Sequence, residues 1–221
     1  MSVPAQDATR DALTAALRRD GHSRTFERGQ TLFVEGDRAE RVFLIERGRV
    51  LVSCSAPGGQ EAVLGLRGPG DVLGELSVFD GEPRSATALT LEEVDAVVAP
   101  ASAVTRALQD VDTAHEMIRI LASRLREADR RRLEFASLDT LGRVAWRLVE
   151  LSERFGRRTA EGIAVELPIS QDQLASWCGA SRESTVKALA TLRSIGCITT
   201  SRKHVLIGDP DGLRRQTQGF A

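Results

Sequence analysis

Between Ser23 and Pro100 short runs rich in Val, Leu and Ile alternate with clusters of Gly, Pro and Asp. The runs are Thr31–Val34, Val42–Glu46, Val50–Cys54, Ala62–Leu66, Ala86–Leu89 and Val94–Val98. The breakers include Gly29, Gly36-Asp37, Gly48, Pro57-Gly58-Gly59, Gly68-Pro69-Gly70 and Gly81. Runs this short, with turn residues at near-regular intervals, predict an all-β barrel or sandwich. Ahead of it, Asp7 to Arg19 reads as an amphipathic helix with Ala12, Leu13, Ala16 and Leu17 on one face.

The texture changes after Ala101, from where glycine is absent until Gly142. Asp110 to Ala136 reads as one long helix whose apolar stripe runs Ala114, Ile118, Leu121, Leu125, Ala128 and Phe135. Steps of four and three make a heptad seam, interrupted by Arg132, and a seam of period 3.5 predicts two copies of the chain paired as a parallel coiled coil. The alternative is packing against the chain's own barrel. Asp139 is placed to cap a further helix, Thr140 to Arg154. Gly162 to Leu167 reads as a strand. Two helices with a tight joint follow, then a hairpin, Cys197–Thr200 and His204–Ile207, turning at Ser201-Arg202-Lys203. The expected division is therefore 1–109 for the barrel, 110–137 for the long helix and 138–221 for the rest, an α+β chain.

Composition narrows the function classes. Hydrophobic residues make up 42% of the 221 and charged residues 28%, ordinary for a folded protein in water. No apolar run reaches the roughly 18 residues of a bilayer span, and Met1 to Arg10 lacks the apolar core of a secretory signal, so a cytoplasmic location and no membrane partner are expected. Three cysteines, Cys54, Cys178 and Cys197, and three histidines, His22, His115 and His204, lie scattered, which speaks against a disulfide framework, a metal site, an iron–sulfur cluster or a haem ligand. No nucleophile–base pair and no catalytic carboxylate pair stands in a pocket motif, so an enzyme is not expected. Net charge is −1, but 18 Arg against 22 acidic residues give −4 over 1–137, and 12 basic against 9 acidic residues give +3 over 138–221. A mildly basic C-terminal part on an acidic body suits local contact with DNA. Chance unevenness is the alternative.

The most specific stretch is Ile169 to Leu189. Ser170 and Ser181 are placed to cap two successive helices, and Gly179 falls where the first would end in a left-handed residue. Leu174, Ala175, Ala188, Leu189 and Leu192 supply packed faces. The second helix then presents Arg182, Glu183, Ser184 and Lys187 near its start, where a recognition helix meets base edges. Arg is the bidentate reader of guanine and Glu accepts from cytosine N4. A helical hairpin with a solvated Arg–Glu pair is the alternative. The hairpin carrying Arg202 and Lys203, placed to touch phosphate, favours the DNA reading.

A second constellation lies in the barrel. Gly74-Glu75-Leu76-Ser77 is followed by Pro83-Arg84-Ser85-Ala86-Thr87. Gly74 permits close backbone approach and the N–H groups after it can cradle an anion. Arg84 offers a planar fork to phosphate oxygens, with the Ser85 hydroxyl beside it, and Glu75 can accept from a ribose hydroxyl. A tight turn closed by an Arg84–Glu75 ion pair is the alternative.

These motifs resemble the CRP/FNR family of transcription regulators. The likeness is carried by Gly179-Ala180-Ser181-Arg182-Glu183, Lys187-Ala188-Leu189, Ile195-Gly196-Cys197-Ile198, Leu138 to Ala145 and the Gly74 and Arg84 segments, and it spans nearly the whole chain. It implies a β-roll or jelly-roll sensor barrel, a dimerisation helix and a winged helix-turn-helix. It implies a homodimer on palindromic double-stranded DNA, contact with RNA polymerase, no tightly bound cofactor and a cyclic nucleotide as effector. In this likeness Arg182, Glu183 and Lys187 read bases, while Ser170, Gln171 and Ser181 position phosphates. Val186 departs from the family, which often has a small or polar residue there; it meets a thymine methyl or it packs.

The long helix departs too. Cyclic-AMP-binding members place a Thr-Ser pair where this chain, counted from Arg124, has Ala128 and Asp129. Ala128 offers adenine no hydroxyl, and an ionised Asp129 only accepts, which suits the N1–H and N2–H₂ donors of guanine. Cyclic AMP, cyclic GMP and cyclic di-GMP therefore all stand as effectors; surface salt bridges of Asp129 with Arg130, Arg131 or Arg132 are the alternative. Two rival functions remain at this level: a regulator that needs no effector, and a nucleotide-sensing subunit that acts on a protein partner.

Overall fold

The computed structural model describes residues 11–218. The first helix, α1 (Asp11–Asp20), lies within the expected span at its start and runs one residue beyond it; the expected start at Asp7 lies outside the described residues. Eight strands follow: β1 (His22–Phe26), β2 (Thr31–Phe33), β3 (Arg41–Arg47), β4 (Val50–Ser55), β5 (Glu61–Arg67), β6 (Val72–Leu73), β7 (Thr87–Thr90) and β8 (Val94–Pro100). Short helix α2 (Leu76–Phe79) lies between β6 and β7, α3 (Ala101–Ala107) follows β8, and the long helix α4 (Val111–Ser137) comes next. Contacts divide the chain into two compact units inside α4, between Arg126 and Glu127.

The first unit is two antiparallel sheets, ordered β1-β8-β3-β6 and β2-β7-β4-β5. Phe26, Phe43, Ile45, Val50, Leu73, Ala88, Val94, Ala96 and Val98 fill the space between them. A second core lies on the outer face of the first sheet, where Val42, Leu44, Val97 and Ala99 meet Leu13, Leu17, Ala103, Val104 and Met117 of the helices. Successive strand residues point to opposite faces. That explains why Val42 to Ile45 are buried without a break: Phe43 and Ile45 face the barrel, Val42 and Leu44 face the helices.

The second unit holds the end of α4, α5 (Thr140–Phe155), β9 (Arg157–Thr159), β10 (Gly162–Glu166), α6 (Gln171–Cys178), α7 (Arg182–Ser194), β11 (Ile198–Ser201), β12 (His204–Ile207) and α8 (Pro210–Arg215). Asp139 caps α5 by accepting from the Gly142 N–H at 2.8 Å. The sheet order is β11-β12-β10-β9, with Ile198 opposite Ile207 at the base of the terminal hairpin. Around the buried Val144, Leu148, Leu151, Leu174, Leu192 and Ile207 this makes the winged helix-turn-helix expected from the sequence. The sequence reading omitted β1, β6, β9, α2, α3 and α8, which are short or mostly polar pieces, and otherwise placed strand and helix ends within a residue or two.

The seam of α4 is visible in part as exposure. Of the expected stripe, Ile118 and Leu125 are more than 60% exposed, Phe135 is 50% exposed and Ala128 is exposed, whereas Ala114 and Leu121 are half-buried; Val111, seven residues before Ile118, is also exposed. On the opposite face Thr113, Glu116 and Met117 are buried in the first unit. Leu121, a member of the same expected stripe, packs against the first unit's core, so the stripe is shared between the chain's own barrel and an exposed edge.

Candidate functional site

The barrel site is built around Arg84. Its side chain is buried, 4% exposed, and its Cζ lies 4.6 Å from the centre of the Phe33 ring. Nη1 donates to the Gly74 carbonyl at 2.6 Å and Nη2 donates to the Arg41 carbonyl, while Nε is buried with no hydrogen-bond partner among the described residues. The guanidinium is thus held by carbonyl dipoles, with Glu75 and Asp37 acting on it only through their fields, and burial lowers its pKa from the ordinary value. Carbonyls orient a cation without neutralising it.

Gly74 is required here on two counts. Its φ is +82°, and a Cβ at this position would stand 2.5 Å from Arg84 Nη1. Glu75 follows, 3% exposed. Burial pushes its carboxyl up to about 7 from an ordinary value of 4.5, with Arg67 and Arg84 pulling the other way. The Arg84–Glu75 ion pair weighed from the sequence does not form. Glu75 instead faces Arg124, whose Nη2 is 3.4 Å from Oε1 and also donates to the Val72 carbonyl at 2.8 Å. Helix α4 thereby places Arg124 beside Glu75. Ser77 is buried and donates to the Pro83 carbonyl at 3.3 Å, tying the two halves of the cassette together; Leu76 and Ser85 are exposed. Ala128 and Asp129 belong to the other compact unit and are exposed, Asp129 standing 3.5 Å from Arg132. Sequence reasoning missed Phe33 and the Arg41 carbonyl. A strand pattern gave the first no role, and the second is a main-chain group that no side-chain motif reports.

In the second unit Ser170 and Gln173 form a reciprocal capping box: the Gln173 N–H donates to Ser170 Oγ at 3.0 Å and the Ser170 N–H to Gln173 Oε1 at 2.9 Å. Gly179 ends α6 with φ +57°. The Ser181 hydroxyl accepts from the Ser184 N–H at 3.1 Å and lies 2.9 Å from Ser184 Oγ. Thr185, wholly buried, donates to the Ser181 carbonyl at 3.0 Å. These bonds fix where α7 starts, and with it the outward direction of Arg182, Glu183, Val186 and Lys187, all exposed. Glu183 and Lys187 pair at 2.7 Å, and Arg182 stands 3.7 Å from Asp172. Exposed pairs are worth only about 0.2–1 kcal/mol, so they yield to a stronger partner. Gln171 is exposed at the start of α6. Arg202 and Lys203 are exposed at the tip of the β11–β12 hairpin, where Lys203 adopts φ +61°. A groove of about 420 Å³ runs between the start of α6, the face of α7 and this hairpin, lined among others by Ile169, Ser170, Gln171, Val186, Leu189 and Lys203.

The turn between α6 and α7 is braced from behind by residues the sequence reading did not single out. Arg143 donates to the Cys178 carbonyl at 2.8 Å and to the Leu138 carbonyl at 2.6 Å. Arg147, 2% exposed, lies beneath the Trp177 ring. Burial pushes the Cys178 thiol up to about 12, which leaves it inert. Among the described residues no group of three or more His, Cys, Asp and Glu side chains is placed to hold a metal ion, and no helix is long and apolar enough to cross a membrane.

A two-sheet barrel on the same chain as a winged helix-turn-helix defines a DNA-binding regulator with a second, β-sheet domain. Residues 23–111 match the cyclic nucleotide-binding domain family and residues 142–216 match the Crp-like helix-turn-helix domain family. The chain is 37% identical over 205 residues to a CRP-like cAMP-activated global transcriptional regulator of Mycobacterium tuberculosis, covering 92% of each. It is 32% identical over 178 residues to the cyclic AMP receptor protein of Thermus thermophilus, covering 79% of this chain and 78% of that one. The fold also matches FixK2 from Bradyrhizobium japonicum with a TM-score of 0.80 at 21% identity, over 91% of this chain and 99% of that one. The chain belongs to the CRP/FNR family of transcription regulators.

Proposed function

We propose that this protein is a homodimeric, sequence-specific regulator whose affinity for DNA is set by a cyclic nucleotide. The observation that carries the effector half is Arg84, a buried guanidinium held by two carbonyls with its Nε left without a partner among the described residues. In this reading Arg84, the Ser85 hydroxyl and the N–H groups beside Gly74, Leu76 and Ser77 hold the cyclic phosphate. Glu75, steadied by Arg124, accepts from the ribose hydroxyl. The stripe of Ala114, Ile118, Leu121, Leu125, Ala128 and Phe135 closes the dimer, and Ala128 and Asp129 meet the base. Residues 1–109 form the sensor, 110–137 the dimer helix and 138–221 the DNA-binding domain. Arg182, Glu183 and Lys187 read bases; Ser170, Gln171, Ser181, Ser184, Arg202 and Lys203 set the register on phosphates. The two recognition helices then address half-sites of a palindrome about one turn, ~34 Å, apart, and RNA polymerase is the partner on the promoter.

Cyclic AMP is the first effector to test, because the relative sharing 37% identity is described as cAMP-activated. Asp129 supports a second reading: it is exposed and carries acceptors only, a match to guanine rather than adenine. Calorimetric titration of nucleotide-stripped protein with cyclic AMP, cyclic GMP and cyclic di-GMP, with Arg84→Ala as control, separates these. Binding of one nucleotide, lost in the variant, supports the sensor reading. No heat from any of the three leaves an effector-independent regulator.

A further inference from the structure

Helix α7 presents one outward face, formed by Arg182, Glu183, Val186, Lys187 and Ala190, each exposed and following one another in steps of one and three. Four of these fit a surface in water or one facing DNA. Val186 does not: it is a large apolar side chain, 39% exposed, one helical turn on from Arg182 and flanked by Glu183 and Lys187. The core-facing residues of the same helix, Thr185, Ala188 and Leu192, point the other way and are buried. Val186 borders Ile169, Leu174 and Leu189 in the groove yet keeps 39% of its surface exposed, at a helical position where Val is a mediocre helix former, so part of an apolar side chain is left facing outward. Its surroundings add a direction. Val186 shares the groove between α6, α7 and the hairpin with Ser170 and Gln171, the two residues at the start of α6 assigned above to phosphate.

We infer that Val186 is a base-reading residue, whose isopropyl group receives the C5-methyl of a thymine in the major groove. The inference rests on α7 being the recognition helix. The chemistry is specific: each base pair shows a distinct pattern in the major groove, and only thymine shows a methyl group there, which side chains read by apolar contact. Arg182, Glu183 and Lys187 supply the polar contacts around it.

The test uses the full chain, alone and with cyclic AMP or cyclic GMP added. A randomised duplex library is selected for binding, and the enriched site is resynthesised with deoxyuridine replacing each thymine in turn, which removes one methyl group and changes nothing else. At one thymine per half-site, wild type is expected to lose about fourfold in affinity, the value for one methyl group withdrawn from burial. Val186→Ala, which keeps the helix, is expected to bind the thymine and uracil sites equally. Wild type indifferent to every replacement, or Val186→Ala retaining the same thymine preference, would overturn the assignment of Val186 alone. A library that yields no enriched sequence would overturn the recognition-helix reading, and this inference with it.

Discussion

Glu134, in the last turn of α4, and Arg147, in α5, form an ion pair in which both side chains are 5% exposed or less. Arg147 also pairs with Glu150 at 2.5 Å and lies beneath Trp177, whose neighbour Cys178 ends α6. The end of the long helix is thereby fastened to the frame that carries the helix-turn-helix. Phe135, beside Glu134, closes the same joint from the other side: a Cβ on Gly179 would stand 2.1 Å from its ring.

Removing one partner of that pair strands a buried charge. Glu134→Ala is expected to destabilise the protein by about 3–5 kcal/mol, whereas Glu134→Leu with Arg147→Met, which removes both charges and keeps the volume, is expected to cost much less. Urea denaturation followed by circular dichroism measures both. Equal losses in the single and double variants would mean that packing, not charge, dominates the joint.

Gly74→Ala tests the cassette. The new methyl group meets Arg84 Nη1, and the backbone at φ +82° resists any residue with a Cβ. A stability loss of roughly 1–2 kcal/mol is expected from the left-handed conformation, together with loss of nucleotide binding as Arg84 is displaced. Calorimetry on the folded variant checks the second effect independently of the first.

Glu75 makes stability depend on pH in a defined direction. Its folded pKa of about 7 lies above the ordinary 4.5, so between these values the native state holds a proton that the unfolded state has released. Stability therefore falls as pH rises from about 4.5 to about 7 and is level beyond. The full effect is on the order of 3 kcal/mol from this residue. Urea midpoints across pH 4.5–8 should show a slope that Glu75→Gln lessens; parallel curves for the two proteins would contradict the assignment.

The dimer seam is tested by its interruption. Leu125→Glu places a charge on the exposed stripe and is expected to give monomers in sedimentation velocity, while Arg132→Leu fills the polar gap and is expected to strengthen the dimer. A monomeric wild type would remove the basis of the seam argument.

Much of this molecule is legible in its sequence, for identifiable reasons. The strands β3, β4, β5 and β8 are apolar runs bounded by turn residues, and the caps at Asp139, Ser170 and Ser181 are side-chain chemistry that local spacing reveals. Strand β1 reads His-Ser-Arg-Thr-Phe and is exposed at four of five positions, because an edge strand has little to bury; β6 has two residues and α2 four, too few to show any period. The cassette motif was readable, but the state of Arg84 was not, since its partners are the carbonyls of Gly74 and Arg41, brought together only by the fold. The brace of Arg143 and Arg147 was hidden for the same reason. An arginine on an amphipathic helix reads as surface until its neighbours are known.

The central claim is that a nucleotide held by Arg84 sets the affinity for DNA. Fluorescence anisotropy of a labelled duplex carrying the selected site, titrated with nucleotide-stripped protein alone and with cyclic AMP, cyclic GMP or cyclic di-GMP, tests it directly. The account predicts that one of the three tightens binding by about tenfold or more, and that Arg84→Ala abolishes the gain. Equal affinity under all four conditions would contradict it.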